Sequence, residues 1–135
     1  MNLDEIVDAF SFFDSWEDKY RFVIDLGKEM PSLPDSVRND EHLIRGCQSQ
    51  VWLSSEYRPA DNTMQLQIDS DAHIVRGLAA IVLACYHNKT PQDIVAHDME
   101  ALFDQLSLLE HLSPTRGNGL RSMVGSIKEQ AQSHL

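Results

Sequence analysis

The spacing of apolar side chains switches from helical to alternating and back again near the middle of the chain. Val51, Leu53, Ser55 and Tyr57 alternate with Trp52, Ser54 and Glu56. Met64, Leu66 and Ile68 alternate with Gln65, Gln67 and Asp69. A period of two belongs to a strand with one packed face, and Arg58-Pro59-Ala60-Asp61-Asn62 between the runs is turn chemistry. The pattern predicts an antiparallel hairpin whose second face, carrying Gln65, Gln67 and Asp69, looks outward. A lone hairpin is rarely stable, so a short third strand is expected from His42 to Arg45.

Helical spacing surrounds this hairpin. Asn2 with Glu5 has the form of a capping box and opens a first helix of about residues 4–13. Ser15 opens a second, with Trp16, Tyr20, Val23, Ile24 and Gly27 on one face, and Pro31 ends it. After Ser70, expected as the N-cap, Ile74, Leu78, Ile81, Val82 and Cys85 repeat at helical intervals and mark a central helix lying on the sheet. Thr90-Pro91 starts a short helix, Met99 to Leu109 forms another, and Ser113-Pro114 opens a last one carrying Leu120, Val124, Ile127 and Ala131 inward. No linker or repeat divides the chain. The expected architecture is one α+β unit over residues 1–135, a small antiparallel sheet of about three strands packed against several helices.

Composition narrows the function classes. Eleven Lys and Arg stand against 21 Asp and Glu, a formal net charge of −10. Nucleic acid and anionic membranes are therefore not expected partners. The acidic N-terminus lacks the basic region of a signal peptide, and no apolar run approaches the ~20 residues that cross a bilayer. A cytoplasmic location is expected, where thiols stay reduced.

Two cysteines cannot build a disulfide framework, and neither C-x-x-C nor H-E-x-x-H occurs. Cys85 lies in register with four aliphatics on the central helix, where burial makes a thiol inert. Cys47 is different. It sits in Arg45-Gly46-Cys47-Gln48-Ser49-Gln50, on a connection between strands, after a glycine that permits a tight backbone. Two readings stand for it: a small buried hydrophobe, or a reactive thiol. The six histidines are scattered without metal-ligand spacing. Gly117-Asn118-Gly119 lacks the preceding strand that a phosphate-binding loop requires.

The words around Cys47 carry a resemblance. Gly46-Cys47-Gln48-Ser49-Gln50-Val51-Trp52 resembles the signature of the SufE family, sulfur acceptors of cysteine desulfurases. Three further blocks resemble the family in the right order: Trp16-Glu17-Asp18-Lys19-Tyr20 with Leu26-Gly27-Lys28, Ser70-Asp71-Ala72 with Ile74-Val75-Arg76-Gly77-Leu78, and Leu112-Ser113-Pro114-Thr115-Arg116 with Asn118-Gly119-Leu120. The resemblance implies a fold of the kind shared by SufE and IscU. It also implies that Cys47 accepts sulfane sulfur from a desulfurase of the SufS or CsdA type and carries it as a persulfide. The onward acceptor would be an iron–sulfur scaffold or a related protein. Pyridoxal phosphate would belong to the desulfurase, so this chain needs no cofactor and no metal.

The same resemblance makes Arg45, Gln48, Ser49, Gln50, Asp71, His73, Arg76 and Arg116 candidates for contacts with the partner around the cysteine. Plainer roles compete at three of them. Asp71 suits the first turn of a helix, Arg45 suits a solvated strand end, and Arg116 suits a surface salt bridge or cap. Persulfide transfer is thiol exchange and needs only one nucleophile, which one cysteine supplies. The competing class is an iron–sulfur or zinc scaffold of the IscU type, which uses about three cysteines. A monomer forming a transient heterocomplex is expected.

Overall fold

The computed structural model describes residues 2–46 and 49–135. The predicted hairpin is present. Strand β1 (Val51–Arg58) pairs antiparallel with β2 (Thr63–Ser70), in a register running from Val51 opposite Ser70 to Arg58 opposite Thr63. The third strand is reduced to a single bridge between Leu43 and Trp52, so among the described residues the sheet has two strands rather than about three. Ile44 N–H donates to the Val51 carbonyl at 2.8 Å and Leu53 N–H to the His42 carbonyl at 2.9 Å. Pairing then stops, because Gly46 turns the chain away at φ +88°. On the opposite edge, Met64 bridges to Lys89.

Six α-helices occur among the described residues, and the third and the sixth are the ones that pack most on the strands. Helix α1 (Leu3–Phe12) begins with the Asn2–Glu5 capping box, and α2 (Trp16–Glu29) begins with the Ser15 cap. Helix α3 (His73–Tyr86) lies on the sheet, as its apolar repeat predicts; Ile74, Leu78, Ile81, Val82 and Cys85 are all buried. Helix α4 spans Pro91–Ala96. Helix α5 spans Met99–Leu106, shorter than expected because Ser107 adopts a left-handed conformation that breaks the hydrogen-bond ladder. Helix α6 (Pro114–Gln132) starts from the Ser113 cap. No helix among the described residues is long and apolar enough to cross a membrane.

Two glycines let α2 and α3 touch. A β-carbon on Gly77 would overlap the Val23 carbonyl, and one on Gly27 would stand 2.9 Å from the His73 carbonyl oxygen. The contact brings the C-terminal end of α2 beside the first turns of α3, next to the open end of the hairpin.

A candidate site at the open end of the hairpin

The segment that contains Cys47 precedes β1 in the chain. Cys47 and Gln48 lie outside the described residues, but both flanks are placed. Upstream, Arg45 and Gly46 are exposed. A β-carbon on Gly46 would stand 2.8 Å from the Ser122 hydroxyl oxygen, so this flank rests against α6. Downstream, Ser49 is half-buried and Gln50 is exposed.

Gln50 is one residue beyond the β1–β2 ladder, and side chains take over where the ladder ends. Its N–H donates to Asp71 Oδ1 at 3.1 Å. Its carbonyl accepts from Ser70 Oγ at 2.7 Å and from Asp71 N–H at 3.3 Å. Ser70 is expected from the sequence as the N-cap of α3. That position belongs to Ala72, which has no side-chain cap. Ser70 Oγ instead accepts from Ala72 N–H at 3.2 Å while gripping Gln50.

Behind this clamp sits Asp69, a residue expected on the outer face of β2 and found fully buried. Its Oδ1 accepts from Ser70 N–H at 2.8 Å and from Arg76 Nη1, and its Oδ2 accepts from Leu33 N–H at 3.0 Å. Arg38 Nε stands 3.7 Å from Oδ2, and the Arg38 guanidinium lies 4.6 Å over the Trp52 ring. The loop after α2 therefore folds over a face that the alternation alone assigns to water.

Arg76 belongs to this cluster. Its side chain is 13% exposed, and it also donates to the carbonyls of Gly27 at 3.3 Å and Met30 at 2.6 Å. With each of its three nitrogens bonded inside the fold, the guanidinium is committed there. The other candidates have surface access: Asp71 and His73 at the start of α3, and Arg116 in the first turn of α6, are exposed. Neither Arg45 nor Arg116 forms an ion pair with a described residue.

A cavity of about 80 Å³ lies between this end of the sheet and α6. Val51, Val75, Leu78, Leu120 and Met123 give it apolar walls, and Ser49, Thr115 and Arg116 are at its polar side. Ser49 joins the cavity to the cysteine segment. By comparison, ~10–15 Å³ of such space accommodates one water molecule.

The second thiol is in a different setting. Cys85 is 7% exposed on α3, and burial pushes its pKa up to about 11. No group of three or more His, Cys, Asp and Glu residues suited to a metal ion occurs among the described residues. Sequence reasoning misses Asp69, Ser70 and Arg38 as members of the site. One signal is available: a carboxylate that ends an alternating strand immediately before a helix-start block.

Comparison with known proteins matches this arrangement to a family. The family model described as SufE, an Fe-S metabolism associated domain, matches residues 4–131. An uncharacterized SufE-like protein of Rhizobium etli is 50% identical over 133 residues, covering 97% of this chain and 90% of the relative. Another from Rhizobium meliloti is 46% identical over 136 residues, covering 99% and 97%. The solution structure of a hypothetical protein from Thermus thermophilus superimposes with a TM-score of 0.76 at 15% identity, covering 98% of this chain and 94% of that one, a likeness of fold. The chain belongs to the SufE family.

Proposed function

We propose that the chain is a sulfur acceptor: it takes sulfane sulfur from a pyridoxal-phosphate-dependent cysteine desulfurase onto Cys47 and passes it to iron–sulfur cluster assembly or a related acceptor. The observation that carries this reading is the division of labour between two thiols. Cys85 is packed into α3 with its pKa raised by burial, whereas Cys47 falls in the family segment whose flanks lean on α6 and on the Ser70–Asp71 clamp. A scaffold needs several thiolate ligands, and Cys85 is poorly prepared to be one.

The chemistry is balanced without an external oxidant. The Cys47 thiolate attacks the outer sulfur of the desulfurase persulfide. A new S–S bond forms on Cys47, the old S–S bond breaks, and the desulfurase cysteine leaves as a thiolate. Delivery repeats the same exchange with the next acceptor. The cavity beside Ser49 offers apolar cover next to the cysteine segment, which supports a resting state guarded from stray thiols. Arg45, Gln48, Ser49, Gln50, Asp71, His73 and Arg116 are the contacts expected to meet the desulfurase, and the pairing is transient.

The test is mass spectrometry after incubation with a desulfurase and free cysteine. An added mass of about 32 Da, one sulfur atom, is expected on the Cys47 peptide and is absent in Cys47→Ser. Sulfur delivery at full rate by Cys47→Ser would overturn the reading, and iron or zinc bound by the isolated protein would favour a scaffold.

A further inference from the structure

We propose that the outer edge of β2 docks an extended, basic segment of a partner protein, which adds to the sheet as a further strand. The inference goes beyond the sulfur-acceptor reading and uses none of the residues proposed for it.

The ladder fixes which way each backbone group of β2 points, because successive residues of a strand turn their N–H and C=O to opposite sides. Met64 N–H donates to the Lys89 carbonyl and Asn88 N–H to the Met64 carbonyl, both at 2.8 Å. Met64, Leu66 and Ile68 therefore present their backbone groups away from β1. Leu66 N–H donates to His87 Nδ1 at 3.0 Å. There the cover stops. The Leu66 carbonyl and both backbone groups of Ile68 have no hydrogen-bond partner among the described residues, yet both residues are buried. Unpaired buried backbone groups cost stability and are rare in folded proteins. Three of them in strand order match another main chain, which offers N–H and C=O groups at the same spacing.

These groups line the floor of a groove of about 610 Å³, walled by Leu26, Met30, Leu33, Leu83 and Ala84. That volume is within the ~300–1,000 Å³ typical of ligand sites. The apolar walls suit every second side chain of an extended guest. Glu29 also lines the groove, no Lys or Arg does, and Glu29 forms no ion pair with a described residue. With a chain charge of −10 behind it, a guest carrying Lys or Arg is favoured. A second copy of this chain brings the same negative charge against it.

The test selects binders from a phage-displayed library of random octapeptides on the immobilised full-length protein. Synthetic copies of the selected peptides are then measured by fluorescence anisotropy and amide hydrogen exchange. Alternating apolar residues with at least one Lys or Arg are expected. The bound peptide should slow exchange of the Ile68 amide about tenfold or more. N-methylation of the peptide on its pairing edge should abolish binding. Glu29→Lys should weaken binding about threefold or more with an unchanged melting curve, and Ala84→Trp, which fills the groove, should lose it. Selection that returns no peptide protecting the Ile68 amide overturns the proposal, as does equal binding of the N-methylated peptide or equal binding to Glu29→Lys. If Ala84→Trp does not fold, the N-methylated peptide decides alone. A dimer in sedimentation whose formation protects the Ile68 amide assigns the edge to a second copy and overturns the basic partner. No readout involves Cys47 or a desulfurase, so the sulfur-acceptor reading stands or falls separately.

Discussion

The two ends of the β1–β2 hairpin carry similar alternating sequences and meet opposite fates. At the turn, Tyr57 Oη donates to Asn62 at 2.8 Å, Thr63 Oγ1 donates to Asp61 at 2.6 Å, and Arg58 pairs with Asp61 at 3.3 Å. The Asp61–Thr63 bond, aided by Arg58, holds the Asp61 carboxyl below its ordinary pKa, yet the group stays exposed. At the open end, Val51, Trp52, Leu53, Ile68, Asp69 and Ser70 are buried on both faces. Charge at the turn keeps its water and stabilises little. Charge at the open end has lost its water and must be matched atom by atom. The chain has concentrated its one buried carboxylate among described residues at the end where β1, which follows the Cys47 segment in the chain, begins.

The largest expected effect follows directly. Asp69→Ala leaves the Arg76 guanidinium without its carboxylate partner, and breaking a buried pair this way costs about 3–5 kcal/mol. For a chain of this length that is a fall in melting temperature of roughly 10 °C or more. Asp61→Ala should leave the melting curve nearly unchanged. Thermal denaturation of the two variants side by side checks the contrast, and equal shifts would remove it.

The second prediction compares the thiols. With a pKa near 11, Cys85 is ionised at pH 8 in about one molecule per thousand, against roughly a quarter for an ordinary thiol near 8.5. Iodoacetamide should leave the Cys85 peptide unlabelled in the native protein and label it readily in urea. Adding the desulfurase should speed labelling of Cys47 and leave Cys85 untouched. Labelling of both at the same rate would mean that the core around α3 opens as freely as the cysteine segment. Cys85→Ala should retain sulfur delivery.

The order of elements is legible because each rests on a local signal. Asn2, Ser15, Thr90 and Ser113 cap the helices that the spacing assigns to them, and the two alternating runs pair as a hairpin. The failures share one cause. Period two tells which residues share a face, but not what covers that face. Asp69 alternates as an outward residue, and only the loop carrying Leu33 and Arg38 buries it. Arg76 falls in a family block at the start of α3, and its guanidinium turns inward because the end of α2 presents two carbonyls beside it. Ser70 loses its expected cap to Ala72 for a similar reason: the Gln50 carbonyl, twenty residues away, takes its hydroxyl as a donor. Long-range partners of this kind leave no mark in local spacing.

Asp71 gives the smallest effect and the sharpest division between holding the fold and holding the segment. Its side chain is exposed and, among the described residues, accepts one backbone hydrogen bond, from Gln50 N–H at 3.1 Å. Losing that bond costs about 1 kcal/mol or less, because water can replace it. Asp71→Ala should therefore shift the melting temperature by only a few degrees, while Cys47 alkylation rises severalfold as Gln50 loosens. Asp71→Asn keeps a side-chain oxygen able to accept from Gln50 and should restore the slow rate, though it removes the charge. The pair separates the clamp from electrostatics: a fast rate in both variants would mean that the negative charge governs the cysteine segment. Binding of the desulfurase, measured by calorimetry on the same two proteins, then tells whether Asp71 also meets the partner. Weak binding with a slow alkylation rate in Asp71→Asn assigns the charge to docking and the hydrogen bond to holding Gln50.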